Sequence, residues 1–259
     1  MDRRQKAVKA GLSLTVKVLS IVSFIGLWHI LVTLGLKWPF QFANLPAPAE
    51  VMIAWVNLLG SGFYYENILT SSMRVLAGIV LAFFAAVPLG LWIGLSRQAS
   101  NIIFTNFEIF RPIPLIAYLP IAMLLFPTIE GSIIFITFIG AFFPILINTK
   151  DAAQRIPKQL IHAAYNLGCT PVRALFSVYI PAITPEIFTG VAIGTGASWM
   201  GVITGEMMSG QTGVGYMTWQ AYHLLDYSQS IIGMFTIGLL GFSSAVFIRL
   251  AERGIVRWK

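Results

Sequence analysis

Apolar residues dominate this chain in long unbroken runs, separated by short polar intervals. Six runs stand out: Leu14–Leu36, Ser72–Leu95, Pro112–Phe126, Ser132–Ile147, Pro181–Met207 and Ser230–Leu250. About 20 mostly apolar residues suffice for a helix to cross the hydrocarbon core of a bilayer. The pattern predicts an all-α membrane protein with six transmembrane helices. No stretch alternates apolar and polar residues at the strand period, so a membrane barrel is not expected. The third and fourth runs are short, and the third contains Pro112, Pro114 and Pro120. Such prolines are tolerated in lipid where neighbouring helices or a polar cavity satisfy the freed carbonyls.

Between the first two runs lies "LPAPAEVMIAWVNLL", in which Val51, Ile53, Ala54, Trp55, Leu58 and Leu59 recur at roughly helical spacing. Two readings stand side by side. One is a short helix on the outer membrane surface, with Trp55 at headgroup depth. The other is a segment packed on top of the bundle.

Composition agrees with a bilayer as solvent. Hydrophobic residues make up 57% of the chain and charged residues 10%, against about 25% charged in soluble domains. The placement of the basic residues gives an orientation. With both termini in the cytoplasm, 15 of the 17 Lys and Arg fall on that side. They include Arg3, Arg4, Lys6, Lys9 and Lys17, then Arg97 and Arg111. Lys150, Arg155, Lys158 and Arg173 follow, and Arg249, Arg253, Arg257 and Lys259 close the chain. Only Lys37 and Arg74 lie on the other side, where Glu50, Glu66, Glu130, Glu206 and Asp226 also fall. The net charge of +7 is thereby explained by topology, without nucleic acid. The chain divides into a cytoplasmic arm (1–13), a six-helix domain (14–251) and a cytoplasmic tail (252–259). The first run has no small-residue cleavage site after it and is read as a retained span. Cys169, the single cysteine, excludes an internal disulfide framework and reads as a small packing residue.

The interval between the fourth and fifth runs departs from the greasy pattern. It reads "HAAYNLGCTPVRALFSVYIPAITPEIFTG" from His162 to Gly190. Pro157 suits a helix start. Leu160, Ala164 and Leu167 share one face, and Gly168 suits a left-handed C-terminal cap. Thr170-Pro171 reads as a fresh N-cap followed by Pro at the first helical position. Val172, Leu175, Phe176 and Tyr179 form the next apolar face. Two short helices therefore meet at an elbow over 155–180, each with a greasy side toward the protein or membrane and an open side toward the cytoplasm. A helical loop that merely caps the bundle fits the same residues.

Candidate chemistry is sparse. His29, His162 and His223 are scattered, no Cys/His/carboxylate spacing suggests a metal site, and no phosphate-binding Gly-Lys-Ser/Thr loop is present. Neither a catalytic constellation nor a bound cofactor is expected. Gly194-Thr195-Gly196 reads as close helix packing through small residues. Candidates for a translocation path are Thr195, Ser198, Trp199 and Glu206 in the fifth run, where the alternative is helix packing with satisfied hydroxyls. Glu206, near the outer mouth, is expected to pair with a cation such as Arg74. Tyr118, between Pro114 and Pro120, is a second candidate, because broken backbone at membrane depth lines cavities. Neither Arg97 nor Arg111 is expected at mid-membrane, so the path is expected to carry few fixed charges.

"HAAYNLG" followed by "YIPAITP" resembles the cytoplasmic EAA-type motif of ABC importer permeases. Ala163, Ala164, Gly168, Ile180 and Pro181 match it, and His162 stands where the family usually has Glu. In order and spacing, "LPAPAEV", "FRPIPLIAYLPIAMLLF", "FIGAFFPILINT", "FTGVAIGTGASWMGVITGEM" and "GVGYMTW" are similar to the nitrate/bicarbonate/sulfonate/taurine branch, from about Leu45 to the C-terminus. The resemblance implies a type I importer permease in a bacterial inner membrane. Its elbow would be a coupling helix docked on cytoplasmic ATPase subunits through His162, Ala163, Ala164, Asn166, Gly168, Thr170 and Arg173. It further implies two ATPase subunits that bind the ATP, a second permease subunit, an external solute-binding protein and a small anion as cargo. A self-contained secondary transporter or channel is the main alternative. It would require internal repeats or intramembrane coupling charges. A membrane enzyme would require a polar cluster that is missing, and a structural anchor would transport nothing.

Overall fold

The computed structural model describes residues 3–35 and 42–256, with side chains from residue 15 onward. Ten helices follow one another among the described residues: α1 Arg3–Thr33, α2 Pro48–Leu59, α3 Gly62–Leu95, α4 Arg97–Phe110, α5 Leu115–Leu125, α6 Ile129–Arg155, α7 Lys158–Asn166, α8 Pro171–Ser209, α9 Val214–His223 and α10 Tyr227–Ile255. The side chains of Arg3, Arg4, Lys6 and Lys9, and all of Lys37, Arg257 and Lys259, lie outside the described part.

Five helices are long and apolar enough to cross a membrane, namely α1, α3, α6, α8 and α10, and the bent pair α4–α5 makes a sixth span. The all-α, six-span expectation holds, but most spans reach beyond the apolar runs. α3 starts ten residues before Ser72, α6 continues to Arg155, and α8 begins at Pro171 rather than Pro181. Helix ends carry polar residues that a hydropathy reading trims away. Ser61 and Thr128, for instance, accept N-cap hydrogen bonds from Tyr64 N and Gly131 N.

α3, α6 and α8 form the centre. Ala82, Ala86 and Ile93 of α3, Ala141, Ile145 and Leu146 of α6, and Ile183 and Ile187 of α8 make one buried cluster. The α6–α8 contact is backbone on backbone. A Cβ on Gly140 would lie 2.8 Å from the Ala197 carbonyl oxygen, and one on Gly194 would lie 3.0 Å from Ala141 Cα. In lipid, where burying apolar surface gains little, such close van der Waals approach is a main source of helix association. Gly194 thus has the packing role read from the sequence, whereas Gly196 faces open space.

The outer elements bury less. The apolar window of α1 has none of its residues buried. Val18, Val22 and Phe24 of α1, Phe84 of α3 and Phe247 of α10 are exposed, as expected of a surface in contact with lipid tails. α2 packs on the bundle, as the second reading of the sequence expects. Val51 is buried, and Trp55 donates to Tyr64 Oη at 3.2 Å and stacks on Phe235 with 6.4 Å between ring centroids. On the opposite side, Met52, Ile53 and Val56 stay exposed.

Candidate functional site

The elbow is built by two helix ends. α7 closes in a Schellman arrangement: Cys169 N–H donates to Ala164 O at 3.0 Å and Gly168 N–H to Tyr165 O at 2.9 Å. This requires Gly168 at φ +79°, with open space around its Cα. Thr170 then caps α8, accepting from Arg173 N, and Pro171 follows at the first helical position. α8 widens into a π-turn at Leu175–Tyr179, just before Pro181, which withholds its N–H from the ladder.

Which side of the elbow is covered differs from the expectation. Ala164 and Ala174 are buried, and Ile161 and Tyr179 reach the central core. Leu160 and Val172 are exposed, with Leu167 86% and Phe176 64% exposed. The apolar faces expected to hold the elbow to the bundle are thus largely its open side. The elbow's buried positions are the small Ala164 and Ala174, with Ile161 and Tyr179 packed partly against the core. His162, Ala163, Asn166, Gly168, Thr170 and Arg173 all lie on the exposed surface, while Ala164 is the anchor.

The second feature is the broken span. α4 and α5 meet at 96°, and the break at 111–114 lies beside the middle of α6, not at its inner end. Phe107 packs on Phe142 and Phe143 with centroids 5.6 and 6.4 Å away. Tyr118 Oη donates to Phe110 O at 2.7 Å and closes the bend. A cavity of about 350 Å³ opens there, lined by Arg111, Phe143, Asn148, Ile193 and Ala197 among others. Arg111, exposed in this chain, thus faces a cavity that also borders residues 139–148 of α6, rather than standing in a loop clear of the bundle. The run of polar residues in α4 concealed that this helix climbs along α6.

A third feature occupies the other end of the bundle. Arg74, 3% exposed, donates through Nε and Nη2 to both carboxylate oxygens of Glu130, at 2.8 and 2.6 Å. Its Nη1 donates to Glu206 Oε1 at 2.8 Å and to Thr212 O. The fully buried Glu206 also accepts from Ser71 Oγ at 2.8 Å and from Gly215 N at 2.9 Å. Asn67 Oδ1 accepts from Gly213 N at 2.6 Å. One arginine thus ties α3, α6, α8 and the 210–215 loop. Gly213, at φ +145°, is held so close that an added Cβ would meet the Glu206 carboxylate at 2.1 Å. The expected Glu206–Arg74 pairing is present.

The remaining path candidates make hydrogen bonds within the chain, and two of them, Thr195 and Trp199, also line a second cavity of about 510 Å³ with Ser72, Ser243 and Ser244. Thr195 Oγ1 donates to Val191 O one turn back, Ser198 Oγ to Thr137 O of α6, and Trp199 Nε1 to Ser244 Oγ of α10. Thr195, Ser198 and Glu206 are fully buried within the chain, so in this structure they are not on the face of α8 that lines the Arg111 cavity. That face, carrying Ile193 and Ala197, lies about 200° around the helix from Thr195 at 100° per residue.

Comparison with known proteins matches this architecture. Residues 78–257 fit the family model described as binding-protein-dependent transport system inner membrane component. A Methanocaldococcus jannaschii protein that bears an ABC transporter permease name is 36% identical over 260 residues, 97% of each chain. The nitrate import permease protein NrtB of Synechocystis is 33% identical over 83% of this chain and 81% of its own length. The bicarbonate transport system permease protein CmpB of Synechococcus elongatus is 34% identical over 77% of this chain and 72% of its own. Among solved structures, an inward-facing form of the MetNI methionine ABC transporter shares the fold, with TM-score 0.60 and 17% identity over 73% of this chain and 95% of that one. The chain belongs to the binding-protein-dependent transport system inner membrane components, the permease subunits of ABC importers.

Proposed function

We propose that this permease passes a small anion, of the nitrate, nitrite, bicarbonate or sulfonate class, delivered by an external solute-binding protein and driven by two cytoplasmic ATPase subunits. The anion reading rests on the named cargo of the nitrate and bicarbonate relatives. ATP is bound and hydrolysed by the partner subunits, and this chain needs no cofactor of its own. A second permease copy completes the path at the interface between the two. The protein lies in the bacterial inner membrane, with both termini and the elbow in the cytoplasm.

The observation that carries this reading is the elbow's uncovered apolar side. Exposed Leu160, Leu167, Val172 and Phe176 border the polar His162, Asn166 and Arg173 on a short helix pair, which suits a groove on another protein. His162, Ala163, Asn166, Gly168, Thr170 and Arg173 face the ATPase there, and Ala164 anchors the pair to the bundle. Tyr118, Thr195, Ser198, Trp199 and Glu206 serve the path by fixing the helices around it. The test is co-purification of the ATPase with Leu167→Asp/Phe176→Asp. Two charges placed in a desolvated contact should abolish assembly while the permease still inserts and unfolds at the wild-type temperature. Wild-type assembly of the double variant would defeat the reading.

A further inference from the structure

We infer that the cavity at the bend between α4 and α5 is a way-station for a planar oxyanion, held by the Arg111 guanidinium and the Asn148 side-chain amide. This inference rests on the anion reading above.

Arg111 is the starting point. The bend sets it beside the middle of α6, among Gly140, Phe143 and Pro144. A charge at that depth is costly unless it faces a water-filled space or a partner. Guanidinium does not lose its proton in proteins, so the charge persists. Among the described residues its side chain has no ion-pair or hydrogen-bond partner, and Glu108, one turn earlier, does not pair with it. Arg74 makes the contrast plain, since its guanidinium is saturated by two carboxylates and a carbonyl. Asn148 lines the same cavity. Its Nδ2 donates one N–H to Pro144 O at 2.8 Å, and the second N–H remains for a ligand.

The rest of the lining is mostly apolar, including Ile113, Leu115, Phe143 and Ile193, and includes no carboxylate. Apolar walls lower the local dielectric and strengthen the pull of one cation on an anion. A planar fork of N–H donors fits two oxygens of a flat anion side by side, which nitrate and bicarbonate both offer. With one fixed charge, binding stays weak enough for release, as a conduit requires. Tyr118 is a positioning residue here: its hydroxyl on Phe110 O holds the turn that aims Arg111.

The test uses the whole importer in vesicles, with labelled nitrate and labelled bicarbonate as the probes. Arg111→Gln should lower uptake of the carried anion about tenfold to a hundredfold, the usual effect of losing a charge-assisted bond. Arg111→Lys should restore part of it with a raised KM, because an ammonium keeps the charge but loses the fork. Asn148→Leu should raise KM by a smaller factor. If the wild-type importer carries neither probe, nitrate and bicarbonate are not its cargo, and this planar-oxyanion site falls with them. If the wild type carries one and the variants carry it equally well, only the site falls. A permease pair that dissociates in Arg111→Gln and reforms in Arg111→Lys would show that Arg111 pairs with a carboxylate of the second copy, and would overturn the proposal.

Discussion

The two ends of this bundle treat polarity in opposite ways. At the end that holds the 210–215 loop, Arg74, Glu130, Glu206, Ser71 and Asn67 turn their polar groups inward and satisfy one another. At the other end, the elbow turns Leu160, Leu167, Val172 and Phe176 outward, uncovered by the described residues of this chain. An end saturated by its own contacts is set by this chain alone. An end left greasy is, in the reading proposed above, completed by the ATPase. The difference separates what holds the fold from what is available for grip.

The comparison breaks most decisively at Arg74. Arg74→Ala would strand a buried Glu206 carboxylate without its cation, at a cost of about 3–5 kcal/mol. The expected result is a large fall in the thermal unfolding temperature of the detergent-purified protein, and a wild-type temperature would mean that the cluster is not a structural tie. Gly213→Ala comes next. It adds a Cβ at positive φ against the same carboxylate, and about 1–3 kcal/mol is expected from strain of this kind. The check is the same melt, together with protease sensitivity of the 210–215 loop, which should rise. The smallest effect is expected at the elbow, where Leu167→Ser should change stability by less than about 0.5 kcal/mol. The same variant should still weaken ATPase binding. A stability loss comparable to that of Gly213→Ala would erase the contrast between the two ends.

Much of the architecture could be read from the chain. Apolar runs located every span except the α4 half of the bent pair, and the Gly168 and Thr170-Pro171 caps located the elbow, because each of those signals is local. The errors share one physical origin. Periodicity tells which residues lie on one face, but not whether another element covers that face. Leu160 and Leu167 therefore read as anchors, although the covered position is Ala164. Hydroxyls are ambiguous for a related reason. In a helix, a threonine satisfies itself on the carbonyl one turn back, as Thr195 does on Val191, so its polarity says little about a path. Arg111 was hidden because α4 is too polar to resemble a span, with Arg97, Gln98, Asn101, Asn106 and Glu108 along it. The useful signal was the Arg-Pro-Ile-Pro sequence, a cation directly before a break that forces the backbone to turn.

The helix that starts at the elbow's Pro171 is also the helix that carries Glu206 near its far end. At 1.5 Å per residue its 39 residues span roughly 58 Å, with a widened turn at Leu175–Tyr179 and Pro181 and Pro185 near its start. In the coupling proposed above, a displacement applied at the elbow would reach the Glu206 clasp along this one continuous helix, and the loop held there would move with it. No relay of neighbouring side chains is needed to bring news of the motor to the opposite mouth.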